Sequence, residues 1–217
     1  MKKLLFWMVL IVGIVVLLGS CAKKDDATTA ATVTFTSTTT AAGSITVGSV
    51  AMSGTYVSGC NTSGVAAAVS GGYFPSDIVA NRDVLVVTGN DNVSQESHFY
   101  TDTTCSTLSG YSKNGWDNFT VGDASGEFYK VTYKETGYKI TAGTTVAETY
   151  YENYFTTNGI TASGTTIDLV VGTEYDVGGS GVNEMNIFYV SSTIVRLGDG
   201  DNATQPTEMD SLEMAKQ

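Results

Sequence analysis

The stretch Tyr129-Lys130-Val131-Thr132-Tyr133-Lys134 decides the fold class, because apolar and polar side chains alternate through it residue by residue. Neighbouring side chains of a β-strand point to opposite faces, so this alternation gives one apolar face and one solvated face. After Glu135-Thr136-Gly137, which is compatible with a turn, Tyr138 and Ile140 resume the apolar face. The segment therefore predicts a β-hairpin that turns at residues 135–137.

Similar patterns return every ten to fifteen residues, by a rough count, from residue 45 onward. Val84 to Val87 is a short continuous apolar run, which suits a strand covered on both sides. Further strands are predicted at Thr145 to Phe155, Ile167 to Val171 and Met185 to Tyr189, with a hairpin turning at Ser191-Ser192 before Ile194 and Leu197. About nine or ten strands in series predict an all-β fold, either an antiparallel up-and-down barrel or a sandwich.

Helix-forming composition is confined to two segments. These are Val65 to Val69 and the tail from Glu208 to Ala215. The tail is expected either to cap the barrel or to fray.

The beginning of the chain has the features of a secretory signal. Met1-Lys2-Lys3 is positively charged, Leu4 to Leu18 is apolar throughout, and Gly19-Ser20 supplies the small residues that precede a signal-peptidase cut. As a helix, the apolar run would reach about 22 Å, which is short of the ~30 Å hydrocarbon core of a bilayer. We therefore expect residues 1–20 to be a signal peptide rather than a retained transmembrane helix.

Leu18-Gly19-Ser20-Cys21 resembles the lipobox of bacterial lipoprotein precursors. The resemblance implies that the Cys21 thiol carries a diacylglycerol, that cleavage occurs just before it, and that a fatty acid such as palmitate acylates the new amino terminus. Several acyl chains hold a protein on a bilayer, whereas one binds only marginally. The alternatives are an ordinary secretion signal or an uncleaved anchor. Ala22 after the cysteine resembles an outer-membrane sorting signal, which implies the bacterial envelope as location.

Residues 21–44 are predicted to be a tether between the lipidated cysteine and the β-domain. They contain Lys23-Lys24-Asp25-Asp26 and then a tract rich in threonine and alanine, with few large apolar side chains to bury. The competing interpretation is an edge strand at Thr32 to Thr36, since threonine favours extended structure. Residues 45–217 are expected to form a single domain.

The charge of the chain excludes some partners. Of 11 basic residues, Lys2 and Lys3 lie in the signal, so the remaining chain has 22 acidic residues against nine basic ones. Such a balance repels nucleic-acid phosphates and anionic lipid headgroups. We therefore expect no nucleic-acid partner, and attachment to the membrane through the lipid. The sequence does not identify a protein partner.

Cys60 and Cys105 remain once Cys21 is modified. In a compartment that permits oxidation, a disulfide between them is the simplest expectation. The alternative is two separate buried thiols.

A further resemblance lies around these cysteines. Gly54-Thr55-Tyr56 before Cys60, and Phe99-Tyr100-Thr101-Asp102 before Cys105, are similar to the pattern of lipocalin-like bacterial lipoproteins, where Gly-x-Trp opens the first strand. Leu197-Gly198-Asp199 and Pro206 to Asp210 are similar to the end of such domains. These matches cover about fifteen residues by a rough count, and Tyr56 stands in place of the tryptophan.

The lipocalin resemblance implies a long loop, Asn61 to Arg82, over the open end of the barrel. Its segment from Gly71 to Pro75 would then be a lid with aromatic contacts. The alternative is a surface loop whose Tyr73 and Phe74 pack onto the core.

The residue pattern gives little support for a catalytic site or a metal site. His98 is the only histidine, and alternation places it on one face with Glu96 and Tyr100. The chain has no Gly-x-Ser-x-Gly nucleophile motif, so a solvent-facing histidine is preferred to a Ser-His-Asp site. One histidine and two cysteines are too few for a zinc site. We expect no enzyme activity, no cofactor and no metal.

Asp199-Gly200-Asp201-Asn202 resembles the opening of a calcium loop. The later positions depart from the EF-hand pattern, because Thr204 stands where glycine is needed and Asp210 where glutamate is usual. A turn with solvated carboxylates is the preferred interpretation.

Two functional hypotheses follow from the sequence. The first is a lipocalin-like module whose barrel binds a lipid or another small apolar ligand, lined by tyrosines at positions 129, 133, 138, 150, 151 and 154. The second is a structural or adhesive surface lipoprotein in which those aromatic rings fill a solid core.

Overall fold

The computed structural model describes residues 37–162, 165–179, 181–199 and 204–217. Most of them lie in strands, with two helices. The elements in chain order are β1 (Ile45–Val47), β2 (Val50–Met52), β3 (Thr55–Ser58), α1 (Val65–Ser70), β4 (Ala80–Val87), β5 (Val93–Tyr100), β6 (Leu108–Ser125), β7 (Phe128–Ala142), α2 (Thr145–Asn158), β8 (Thr161–Ala162), β9 (Thr165–Thr166), β10 (Glu174–Gly178), β11 (Asn183–Val190), β12 (Ile194–Asp199) and β13 (Glu208–Lys216).

Eight strands form a closed antiparallel barrel. Around the barrel their order is β3, β4, β5, β6, β7, β11, β12 and β13, and β13 pairs with β3 to close it. Neighbours in space are thus also neighbours along the chain, apart from the insertion of α2 and β8 to β10 between β7 and β11. This confirms the predicted all-β, up-and-down barrel.

Strand β7 is one continuous strand rather than the predicted hairpin. Gly137 has a φ of 56° and interrupts the register with β6, so that one extra residue is accommodated as a bulge. The bulge shifts the alternation of side chains by one residue. The inner face therefore continues across it, with Val131, Tyr133 and Glu135 before the bulge and Tyr138 and Ile140 after it. A turn and a bulge both use a glycine at positive φ, which is why the residue pattern did not distinguish them.

The lower end of the barrel, which we define as the end closed by the β1–β2 hairpin, has a solid aromatic core. Trp116 stacks on Tyr133 with ring centroids 4.4 Å apart and meets the edge of Phe188 at 6.2 Å. Ile45, Val47 and Met52 of the hairpin belong to the same buried cluster. Apolar side chains from all eight barrel strands contribute to this cluster, so packing at this end holds the barrel together.

Helix α2 replaces the strand predicted at Thr145 to Phe155. Ala147, Tyr151 and Phe155 recur every four residues and form its buried face, which packs on Tyr138 and Ile140 of β7. The Thr144 side chain caps the first turn by accepting a hydrogen bond from the Ala147 amide at 3.1 Å. The four-residue spacing was a helical signal, but the β-favouring tyrosines and threonines obscured it.

The other predicted elements have mixed outcomes. α1 confirms the helix predicted near Val65, the β11–β12 hairpin confirms the turn at Ser191-Ser192, and Val84 to Val87 are buried on both faces of β4. The tail Glu208 to Ala215 is strand β13, because pairing with β12 and β3 overrides its helical composition. Ile167 and Leu169 are buried in a loop rather than in a strand.

Replacement of Thr144 by alanine is expected to lower the free energy of unfolding by about 1 kcal/mol, the usual effect of losing an N-cap. Thr144 also donates a 2.7 Å hydrogen bond to Asp77, so part of the loss would come from that contact. Urea denaturation followed by circular dichroism measures it. Alanine at the exposed neighbour Thr145 is the matched control, and an equal effect of the two changes would contradict the capping role.

Candidate functional site

Two cysteines of the described residues form a disulfide. Cys60 and Cys105 have an S–S distance of 2.02 Å and Cα atoms 5.8 Å apart, which confirms the prediction. The bond joins the segment after β3 to the segment between β5 and β6. Cys21, the predicted lipid attachment site, lies outside the described residues.

The upper end of the barrel is covered by residues 59–79 together with α2, which we call the upper cap. Phe74 packs on Phe99 of β5 with ring centroids 5.0 Å apart, whereas Tyr73 is 45% exposed. Tyr150 of α2 donates a 2.9 Å hydrogen bond to the Gly72 carbonyl, and Asp77 accepts from Ser109 and Thr144. The loop predicted as a lid thus lies over the barrel end, and only one of its two aromatic rings packs on the core.

The tyrosines predicted to line the barrel separate into two groups. Tyr129 and Tyr133 belong to the aromatic core of the interior, and Tyr138 faces inward beneath the upper cap. Tyr150, Tyr151 and Tyr154 lie on α2 instead of on a barrel strand, in or beside the buried cluster that contains Tyr138.

Between the aromatic core and the upper cap the inner face of the barrel is polar along β3 to β6 and at Glu135 of β7, whereas Tyr138 and Ile140 of β7 make it apolar beside Asn114 and Ser112. Strand register places the polar side chains on the same face as Leu85 and Trp116 of the core. We call them the polar band, and they are Ser58, Asn81, Asp83, Gln95, Ser97, Ser112, Asn114 and Glu135.

Asp83 is the centre of one half of the polar band. Its carboxylate accepts hydrogen bonds from the Ser97 hydroxyl at 2.8 Å and from the Asn81 side-chain amide at 3.4 Å. The Asp83 backbone amide donates to the Ser58 hydroxyl at 2.9 Å. Asp83 itself is only 6% exposed. A carboxylate is therefore held inside the barrel by neutral donors.

Asn114 and Glu135 form the other half of the polar band. The Asn114 side-chain amide donates to the Glu135 carboxylate at 2.9 Å, and both side chains are buried. The bond connects β6 to β7 just above Trp116, which is the strand partner of Glu135.

Part of the polar band is accessible although it faces inward. Gln95, Ser97 and Ser112 are partly exposed, whereas the apolar side chains below them on the same face are buried. Serine side chains are also much smaller than the rings of the aromatic core. An eight-stranded barrel is just wide enough for its side chains to fill or to hold one small ligand. Packing is therefore less complete in the polar band than beneath it.

Burial raises the pKa of Asp83 from 3.8 to about 6, although the hydrogen bond from Ser97 opposes the shift. Asp210 contributes like-charge repulsion in the same direction as burial, and His98 acts in the opposite direction. Between pH 3.8 and about 6 the folded chain holds a proton that the unfolded chain has lost. The contribution of Asp83 to stability therefore falls as the pH rises through this window, by about 3 kcal/mol in total.

Asp83→Asn is expected to remove this pH dependence. The variant should therefore gain stability relative to the parent as the pH rises from about 4 to about 7. Urea denaturation at several pH values measures the difference. The variant has to be compared with the parent at each pH, because the contribution of Glu96 to stability is lost as the pH falls, opposite to that of Asp83. Asp123→Asn at an exposed position is the control, and a parallel pH profile for parent and Asp83→Asn would refute the assignment.

Glu96 and His98 form a second buried polar group, on the outer face of β5. Their side chains are 2.6 Å apart, and the ring of Tyr111 stacks on His98 at 5.4 Å. The prediction of a solvent-facing His98 is wrong, since only 3% of the residue is exposed. Alternation along the strand did place His98 on the face of Glu96, but no residue pattern indicated that this outer face is covered.

Residues 37–39, at the end of the predicted tether, contact Glu96. The Ser37 hydroxyl donates to one carboxylate oxygen at 2.9 Å, and the Thr38 amide donates to the other at 3.4 Å. Burial raises the pKa of Glu96, but hydrogen bonds from His98 and from this segment outweigh it and hold the pKa at about 2. Glu96 therefore stays ionised at neutral pH and attaches the segment to the barrel.

Other predicted sites have less structural context. Asp199 ends β12, and residues 200–203 of the calcium-like segment lie outside the described residues. Within the described ranges, no three His, Cys, Asp or Glu side chains come close enough to hold a metal ion. No helix in those ranges combines the length and apolarity that crossing a bilayer requires.

No protein-family model matches this chain, and no curated protein is significantly similar to it in sequence.

Proposed function

We propose that this chain is a lipid-anchored protein of the bacterial envelope whose barrel binds a small organic molecule. The observation that carries the binding function is the partly accessible inner face at Gln95, Ser97 and Ser112, between the aromatic core and the upper cap. Anchoring is supported by the lipobox-like Leu18 to Cys21 after an apolar run. The up-and-down barrel is an architecture that encloses single small ligands.

The interior favours a ligand with a polar group over a wholly apolar lipid. Trp116, Tyr133 and Phe188 already fill the lower part of the barrel with stacked rings. The accessible level above them presents hydroxyl, amide and carboxylate groups, and burying an alkyl chain against unpaired polar groups is unfavourable. The ligand is accordingly expected to form hydrogen bonds in the polar band.

Mass spectrometry of the full chain, purified from membranes in a mild detergent and then extracted, tests the binding function. One small compound per chain, absent from an extract of an unrelated lipoprotein prepared in the same way, is the expected result. A clean extract, together with no uptake from a mixture of small metabolites and lipids, would contradict ligand binding.

Cys21→Ser is expected to move the chain from the membrane pellet to the soluble envelope fraction, because it removes the proposed acceptor of the diacylglycerol. Cell fractionation and the mass of the amino-terminal peptide measure the change. Cys60→Ser is the control, since it removes a disulfide-bonded cysteine without removing the anchor. Retention of Cys21→Ser in the membrane would exclude lipid anchoring at this residue.

The alternative is a structural or adhesive envelope protein with no small ligand. Two observations favour it, namely the solid aromatic core and several exposed apolar side chains around α2. These are Tyr73, Val146, Val170 and Val171, exposed by 45%, 41%, 56% and 39%. A clean extract combined with binding of a second protein to this surface would support the alternative.

A further inference from the structure

We infer that the polar band binds a small organic ammonium compound, held by Asn81, Asp83 and Asn114. The inference rests on the proposed ligand-binding function and names its ligand class. Three features of the described residues support it: two buried amide oxygens without partners, the acceptor chemistry around them, and a buried carboxylate that belongs to no ion pair.

Two side-chain amide oxygens in the polar band have no hydrogen-bond partner among the residues that the structure describes. They are Oδ1 of Asn81, a residue 1% exposed, and Oδ1 of Asn114, which is 8% exposed. Leaving a buried acceptor unpaired is unfavourable. Both residues lie on the inner face, so a molecule inside the barrel can supply the missing donors.

The orientation of both amides follows from their neighbours. In each case the amide nitrogen donates to a carboxylate, which is Asp83 for Asn81 and Glu135 for Asn114. Rotating either amide by half a turn would set its oxygen against that carboxylate, which is unfavourable. The oxygens are therefore the groups left for a ligand, and an oxygen acceptor selects a ligand that donates.

The charge of Asp83 favours a cationic ligand over a neutral hydrogen-bond donor. No ion pair within the described residues includes Asp83, and Lys113 and Lys139 pair with Glu174 on the outer face. His98 lies on the outer face beside Glu96, and although it lowers the pKa of Asp83, burial raises that pKa by more. The high pKa of Asp83 indicates that its negative charge is poorly compensated in the unliganded barrel. An ammonium group supplies both the charge and several N–H donors.

The spacing of the two amides suits a compact, chain-like cation. Asn81 lies on β4 and Asn114 on β6, two strands apart in the sheet. Two strand spacings correspond to about 10 Å along the wall, and less across the curved interior. Ser97 of β5 lies between them and is small. A short alkyl diamine can reach both amides at once, whereas a single ammonium group can contact only one of them at a time.

Isothermal titration calorimetry of the full chain in mild detergent with 1,4-diaminobutane tests the inference. We expect saturable binding at one per chain, weakened at least about tenfold by Asp83→Asn and by Asn81→Leu, since each change removes a contact to a charged donor. Asp123→Asn, which removes the same charge at an exposed site, should leave the affinity unchanged. Circular dichroism establishes that each variant is folded.

A second measurement does not depend on any variant. Because an ammonium group beside Asp83 favours its ionised form, binding at pH 6 should release a fraction of a proton, and binding at pH 8 should release almost none. Calorimetry in two buffers of different ionisation enthalpy gives this number. Equal proton release at the two pH values would overturn the placement of the cation at Asp83.

The other outcomes separate this inference from the proposed function. Equal weakening by Asp123→Asn, or equal affinity for the neutral 1,4-butanediol or for calcium ions, would overturn the ammonium site. If the extracted chain carries a compound without an amine group, the proposed function stands and this inference fails. If the extract is clean and no probe binds, both fail, and ordered water is the partner of the two amides.

Discussion

Replacement of Trp116 by alanine is expected to lower the free energy of unfolding by about 3 to 5 kcal/mol, the range for deleting a large buried ring. Trp116 is 3% exposed and contacts both Tyr133 and Phe188, so its removal leaves a cavity beside rings from two other strands. Those rings are fixed by the closed barrel and have little freedom to collapse into the space. Urea denaturation followed by far-ultraviolet circular dichroism measures the loss.

Two further substitutions control for the general effect of truncating a side chain. Val170→Ala, at a residue 56% exposed, should change stability by no more than about 0.5 kcal/mol. Trp116→Phe keeps an aromatic ring and should lose clearly less than the alanine variant. If Trp116→Ala were as mild as Val170→Ala, the lower end of the barrel would not be a packed core.

Loss of the Cys60–Cys105 disulfide should have the second large effect. The bond closes a loop with a sequence separation of 45, and releasing that constraint on the unfolded chain is worth about 4 kcal/mol in the chain-entropy model. The double variant Cys60→Ser, Cys105→Ser should therefore unfold at a lower urea concentration than the parent. The upper cap, which begins at the disulfide, should be exposed first and become sensitive to protease.

A reductant provides the control for the disulfide prediction. It should lower the stability of the parent to that of the double variant and have no effect on the double variant itself. If thiol labelling shows that the bond has opened and the stability of the parent is unchanged, the bond does not contribute as predicted.

The residue pattern was sufficient for the fold class and insufficient for several elements. Alternation identified the barrel because strands with one buried face must place apolar side chains at every second position. It failed for β13, whose composition favours a helix, because pairing with β12 and β3 is decided by residues far away along the chain. It failed for α2, where Ala147, Tyr151 and Phe155, buried at a four-residue spacing, were interpreted as strand residues.

The polar band was not predictable from local patterns. In β5 the residues Val93 to Tyr100 carry polar side chains on both faces, so polarity alone does not indicate which face is inside. Asn81 and Asn114 become members of one site only through the register of β4, β5 and β6. The disulfide was easier to predict, because the chain offers few cysteines and the choice of partners is small.

Closure of the barrel by β3 and β13 affects the order of events during synthesis. β3 is the first barrel strand along the chain and β13 is the last, so the sheet keeps two unpaired edges until residues 208–216 have been made. Exposed edges are templates for pairing with other chains. A chain of this topology therefore exposes two strand edges to pairing with other chains until its last barrel strand has been made.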